Sequence, residues 1–123
     1  MNTKAKTLLF ITLLHVVVMH VAYFLLAANF DFPEVLRRTP AEMLGLYMQN
    51  QSIVQPAYYL FTLTGLTFIA LVIALDSMLK SHSLFQRLAL VFGILTGLLQ
   101  LIGFGRWVFL VPLVAKHVLA GQD

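Results

Sequence analysis

The most constraining feature of this chain is the run at residues 8–28, LLFITLLHVVVMHVAYFLLAA, whose only ionisable side chains outside its single tyrosine are two histidines. As a helix these roughly 21 residues extend about 31 Å, which matches a bilayer hydrocarbon core of about 30 Å. Lys4 and Lys6 stand ahead of it like the basic start of a signal peptide. A cleavable signal, however, has an apolar region of only about 7–15 residues, so the run is expected to be an uncleaved anchor.

Two further apolar runs follow, at 57–79 and 88–115, and the expected architecture is an all-α integral membrane bundle of three spans in a single membrane domain, residues 1–123. The composition agrees. The chain is 60% hydrophobic and 11% charged, with a mean hydropathy of +0.90, whereas soluble domains carry roughly 25% charged residues. The third run is long for a span, about 42 Å as one helix. It must bend at Gly103, Gly105 and Pro112, or send its last turns out to pack on the polar connection; one long, bent helix is the expectation.

That connection, residues 29–56, holds three of the four prolines. Asp31 with Glu34 reads as the start of a short helical turn, and Thr39-Pro40-Ala41-Glu42 as a capping box with proline at the first helical position. Met43, Leu44, Tyr47 and Met48 would then share one side of a short helix, packed against its neighbours or resting on the bilayer. Tyr58 and Tyr59 suit a membrane interface, as does Trp107, whose neighbour Arg106 can reach the headgroups.

Charge sets orientation. Lys4, Lys6, Lys80 and Arg87 fall on one side, against Arg37, Arg38 and Lys116 on the other with Arg106 at its edge. Together with the influence of the first helix, this puts the amino terminus in the cytoplasm. The basic residues are scattered, which argues against nucleic-acid binding. With no cysteine in the chain, disulfides, thiolate nucleophiles and iron–sulfur clusters are excluded.

Candidate sites are few. Gly93 and Gly97 form a GxxxG pair, and Gln100 continues their face, so another helix can approach closely and be bonded by the amide; that helix is either in this chain or in a second copy. His15 and His20 lie five residues apart, about 140° around one helix, and cannot share a ligand. Haem ligation would need His82 or His117 as a partner. Asp76 and Lys80, four apart, read as a surface ion pair. Signatures of hydrolases, metalloproteases and nucleotide-binding proteins are missing, and no catalytic residue, metal or cofactor is expected. The leading expectation is a non-enzymatic membrane component, self-associating through the third helix. The alternative is a small-molecule or haem site using His15, His20, Gln100 and Arg106.

Two segments carry a resemblance. Phe30-Asp31-Phe32-Pro33-Glu34-Val35-Leu36 follows the first span, and Gln100-Leu101-Ile102-Gly103 leads into Arg106-Trp107 and Val111-Pro112. The order and spacing resemble a bacterial family of multi-span membrane proteins known as domain of unknown function 4386. The resemblance implies a bacterial inner membrane and a family about twice as long, of which this chain looks like the amino-terminal half. It therefore suggests partners in the bilayer, either a second copy or the carboxy-terminal half. Asp31, Pro33, Gln100, Arg106, Trp107 and Pro112 transfer as motif positions without an assigned chemistry. It also suggests that Arg106 pairs with Asp31 or Glu34.

Overall fold

The computed structural model describes residues 2–79 and 83–121. Among these residues four α-helices follow one another: α1 (Thr3–Phe30), α2 (Pro40–Gln49), α3 (Gln51–Asp76) and α4 (Leu84–Ala120), with one 3₁₀ turn at Glu34–Arg37. No strand occurs among the described residues. α1, α3 and α4 are each long and apolar enough to cross a membrane, giving the expected three-span helical bundle.

Local chemistry explains the ends. Asn2 caps α1 by accepting from the Ala5 N–H, and the helix stops at Asp31, which adopts φ 51° and turns its N–H back to the Leu26 carbonyl. The expected short turn forms, but it begins after Pro33; Asp31 contributes its main-chain carbonyl, accepting from the Val35 N–H at 2.8 Å. The Phe32–Pro33 peptide is cis. The second start signal reads as predicted. Thr39 and Glu42 satisfy each other's backbone N–H groups in a capping box, with Pro40 opening α2.

The span boundaries differ from the hydropathy reading. α3 begins at Gln51, so the last residues of the expected polar connection are helical, and Pro56 lies inside the helix. A proline this early removes one helical hydrogen bond, the one that the Ser52 carbonyl would accept. α4 extends past 88–115 at both ends and is one 37-residue helix, about 56 Å long. It is longer than a bilayer core is thick, and it packs on α2, where Tyr47 meets Trp107.

α3 is the central helix, flanked by α1 and α4, which do not pack along each other. Glycines let α3 and α4 meet closely. A Cβ on Gly65 would lie 2.7 Å from the Gly97 carbonyl oxygen, one on Gly97 would lie 2.8 Å from the Gly65 oxygen and still nearer to Ile69, and one on Gly93 would meet the Val72 methyl at 2.6 Å. The GxxxG face of α4 is therefore filled by α3 of the same chain. Of the two readings of Gly93 and Gly97, a helix of this chain or one of a second copy, the structure shows the first. Outward faces are apolar, with Phe24 66%, Ile102 71% and Phe109 67% exposed, as lipid contact requires.

Candidate functional site

The core is concentrated at one end of the bundle, where α1 stops, α2 crosses and α3 begins. Phe30, Tyr47, Tyr58 and Trp107 are all buried there. Trp107 lies flat on Tyr58, with ring centroids 4.7 Å apart and planes 5° from parallel, while Phe30 meets Tyr47, Tyr58 and Trp107 edge-on. Such offset and edge-to-face contacts follow the ring quadrupoles. Trp107 and Tyr58 are thus core residues and not members of an aromatic belt. Helical geometry explains it: the face of α4 that carries Gly105, Trp107, Val108 and Pro112 looks inward, and Arg106 beside it looks out.

Pro112 sits in this core. Lacking an N–H, it leaves the Val108 carbonyl without its helical donor. Gln55 of α3 supplies one, its Nε2 donating to the Val108 oxygen at 3.0 Å, while Gln51 donates to Gln55 Oε1 at 3.1 Å. One residue earlier, the Tyr47 hydroxyl donates to the Trp107 carbonyl at 2.7 Å. Two consecutive carbonyls of α4 are therefore held by side chains of α2 and α3. Burial pushes the Tyr47 phenol up to about 12, so it remains a donor at any ordinary pH. The Tyr58 hydroxyl is buried without a hydrogen-bond partner among the described residues.

The charged motif residues close locally. Asp31 pairs with Arg38 at 2.5 Å and Glu34 with Arg37 at 3.1 Å. Neither reaches Arg106, because the arginines seven and three residues along the same loop are closer. Arg106 is exposed, its guanidinium carbon 5.9 Å from the Trp107 ring centroid. Pro33 precedes the 3₁₀ turn that brings Arg38 round to Asp31.

Within the bilayer span, polar side chains tie helix to helix. Gln100 donates to the Thr64 hydroxyl at 2.6 Å, joining α4 to α3, and Thr64 donates to the Phe61 carbonyl. His15 Nδ1 is 2.8 Å from the Thr67 hydroxyl, joining α1 to α3, and Thr67 donates to the Thr64 carbonyl. His20 behaves differently: Nδ1 bonds its own helix at the Val16 carbonyl, 2.7 Å away, and the ring is exposed beside a cleft lined by Met19, Tyr23, Phe24 and Phe61. The histidines do not converge. No group of three metal-ligating side chains occurs among the described residues. His117 lies in the last turn of α4, and His82 and Lys80 lie outside the described residues. Asp76 accepts from Gln86 Nε2 at 2.7 Å.

Some of these residues were open to prediction, others escaped it. Gln100 was expected to bond across a small-residue face. Gln55, Thr64, Thr67 and Tyr47 were missed, although a proline inside a helix signals a freed carbonyl that some donor must meet. No family model, curated protein or solved structure matches this chain.

Proposed function

We propose that the chain is a non-enzymatic component of a bacterial plasma membrane, amino terminus in the cytoplasm, that assembles with further helices in the bilayer, and that it corresponds to the amino-terminal half of the domain of unknown function 4386 family. The observation that carries the assembly is the open arrangement of the spans: α1 and α4 flank α3 without packing along each other. Their outward faces stay apolar and available, while the glycine face is used internally. Association through α4 then uses the side bearing Leu99 and Ile102, which are 68% and 71% exposed. The clustering of Asp31, Pro33, Trp107 and Pro112 at one end supports the family assignment, because spaced motifs gain meaning when they meet.

The absence of cysteine makes the test clean. Single variants Leu99→Cys and Ile102→Cys, oxidised in native membranes, should form disulfide-linked dimers, whereas Gly97→Cys should not. A detergent-corrected mass of one chain, with no cross-link from any outward position on α1 or α4, would remove self-assembly. Labelling of cysteines placed at Arg37 and Arg87 with a membrane-impermeant reagent checks the orientation, and reaction at Arg37 alone from outside is expected.

A further inference from the structure

The exposed ring of His20 is half satisfied. A carbonyl oxygen only accepts, so the 2.7 Å contact with Val16 requires that Nδ1 carry the hydrogen. In the neutral ring this fixes Nε2 as a bare lone pair, and no described residue donates to it. Nine residues separate His20 from Asn29 at the outer end of α1, which sets the ring about 14 Å down the helix. In a hydrocarbon core of about 30 Å this is near the middle. Water and phospholipid headgroups do not reach that depth, and an unmet polar atom there is costly.

The surroundings select what can meet it. His20 lines a cleft of about 360 Å³ between α1 and α3, walled by Met19, Tyr23, Phe24 and Phe61. Three of the four walls are aromatic, and Phe24 and Tyr23 stand 66% and 41% exposed, available for ring contacts. The volume suits a small ring headgroup. A molecule that dissolves in the bilayer, carries a flat ring and bears a hydroxyl donor fits depth, walls and lone pair together. We infer that His20 and this cleft bind a lipid-soluble phenol, of the hydroquinone type, whose hydroxyl donates to His20 Nε2 while its ring lies against Tyr23, Phe24 and Phe61. The site needs α1 to be in the membrane but is independent of assembly. His15 is not part of it, since its Nδ1 is engaged by Thr67.

The test uses the full chain in bicelles with ring-¹⁵N histidine and trimethylhydroquinone as the probe. Without probe, the His20 spectrum should show hydrogen on Nδ1 and a bare Nε2. Added probe should move the His20 Nε2 resonance saturably and leave His15 unmoved. The dimethyl ether of the probe, which has the same ring and no donor, should bind about tenfold more weakly, the worth of roughly one hydrogen bond. His20→Phe should lose the hydroquinone preference over the ether, and Phe24→Ala should weaken both. Equal binding of hydroquinone and ether, an undiminished preference in His20→Phe, or hydrogen found on Nε2 with Nδ1 bare would each overturn the assignment. Resistance of the chain to alkaline extraction from membranes, measured in parallel, separates failure of the site from failure of the membrane placement.

Discussion

Gln55 on α3 donates to the Val108 carbonyl on α4 at 3.0 Å, meeting the acceptor that Pro112 deprives of its own helical partner. The contact explains how α4 runs unbroken from Leu84 to Ala120 with a proline inside it.

Replacing Gln55 by Leu should therefore destabilise the chain by about 1–3 kcal/mol, the usual consequence of leaving a buried acceptor unmet. Pro112→Ala restores the main-chain N–H, so in that background Gln55→Leu should cost much less. Thermal unfolding in detergent micelles of the wild type, both single variants and the double variant closes the cycle; additive effects would show that the two residues act apart.

Thr64 is fully buried and takes the Gln100 amide at 2.6 Å. Gln100→Leu and Thr64→Val should each destabilise by ~0.5–2 kcal/mol, with the double variant little worse than either, as expected of a single interhelical bond in a membrane.

The glycines should rank by what they meet. Gly65→Ala pushes a methyl into the Gly97 backbone, which cannot yield without parting α3 from α4, while Gly93→Ala meets the Val72 side chain, which can turn aside. Gly65→Ala should cost about 1–3 kcal/mol as an overpacked position, and Gly93→Ala distinctly less, by the same unfolding assay.

Tyr58→Phe should be neutral or stabilising, since its buried hydroxyl has no partner among the described residues and the stack on Trp107 survives the change. Tyr47→Phe should be destabilising by ~1 kcal/mol, because the Trp107 carbonyl loses a donor. An equal response from the two tyrosines would contradict the difference.

Two pH effects follow at α2. The Thr39 hydroxyl and N–H hold the Glu42 carboxyl below the usual carboxylate range. Its contribution is thus present above the unfolded value near 4 and fades as pH falls through the lowered one. The Tyr47 phenol, raised to about 12, acts oppositely: its contribution is complete below the unfolded value near 10 and is lost as pH rises towards 12. Helicity of α2, followed by hydrogen exchange at moderately acid pH, should fall in the wild type and be pH-insensitive in Glu42→Gln.

Hydropathy located the three spans because lipid imposes one-sided chemistry on every outward residue, and the capping box at Thr39 was legible because it is written within four residues. Helix ends were less so. Gln51 and Gln55 look like loop residues by polarity, yet they belong to α3: the Gln55 amide serves a carbonyl of α4, and Gln51 donates in turn to Gln55. Trp107 and Arg106 illustrate the same limit: adjacent residues at one interface suggest one role, but a 100° turn of the helix buries the first and exposes the second. The pairing of Asp31 with Arg38 depends on the 3₁₀ turn that begins after Pro33, which no periodicity announces.

The joint between α4 and its supports has only one heritable side. Tyr47 and Gln55 grip oxygen atoms that every amino acid possesses, so no substitution at positions 107 or 108 can delete the acceptor, although it can disturb the packing around it. Trp107 and Val108 should accordingly be constrained only by how their side chains pack, whereas Tyr47 and Gln55 should stay fixed for the bonds they donate as well, and mark the chain's relatives alongside the more conspicuous Arg106-Trp107 pair.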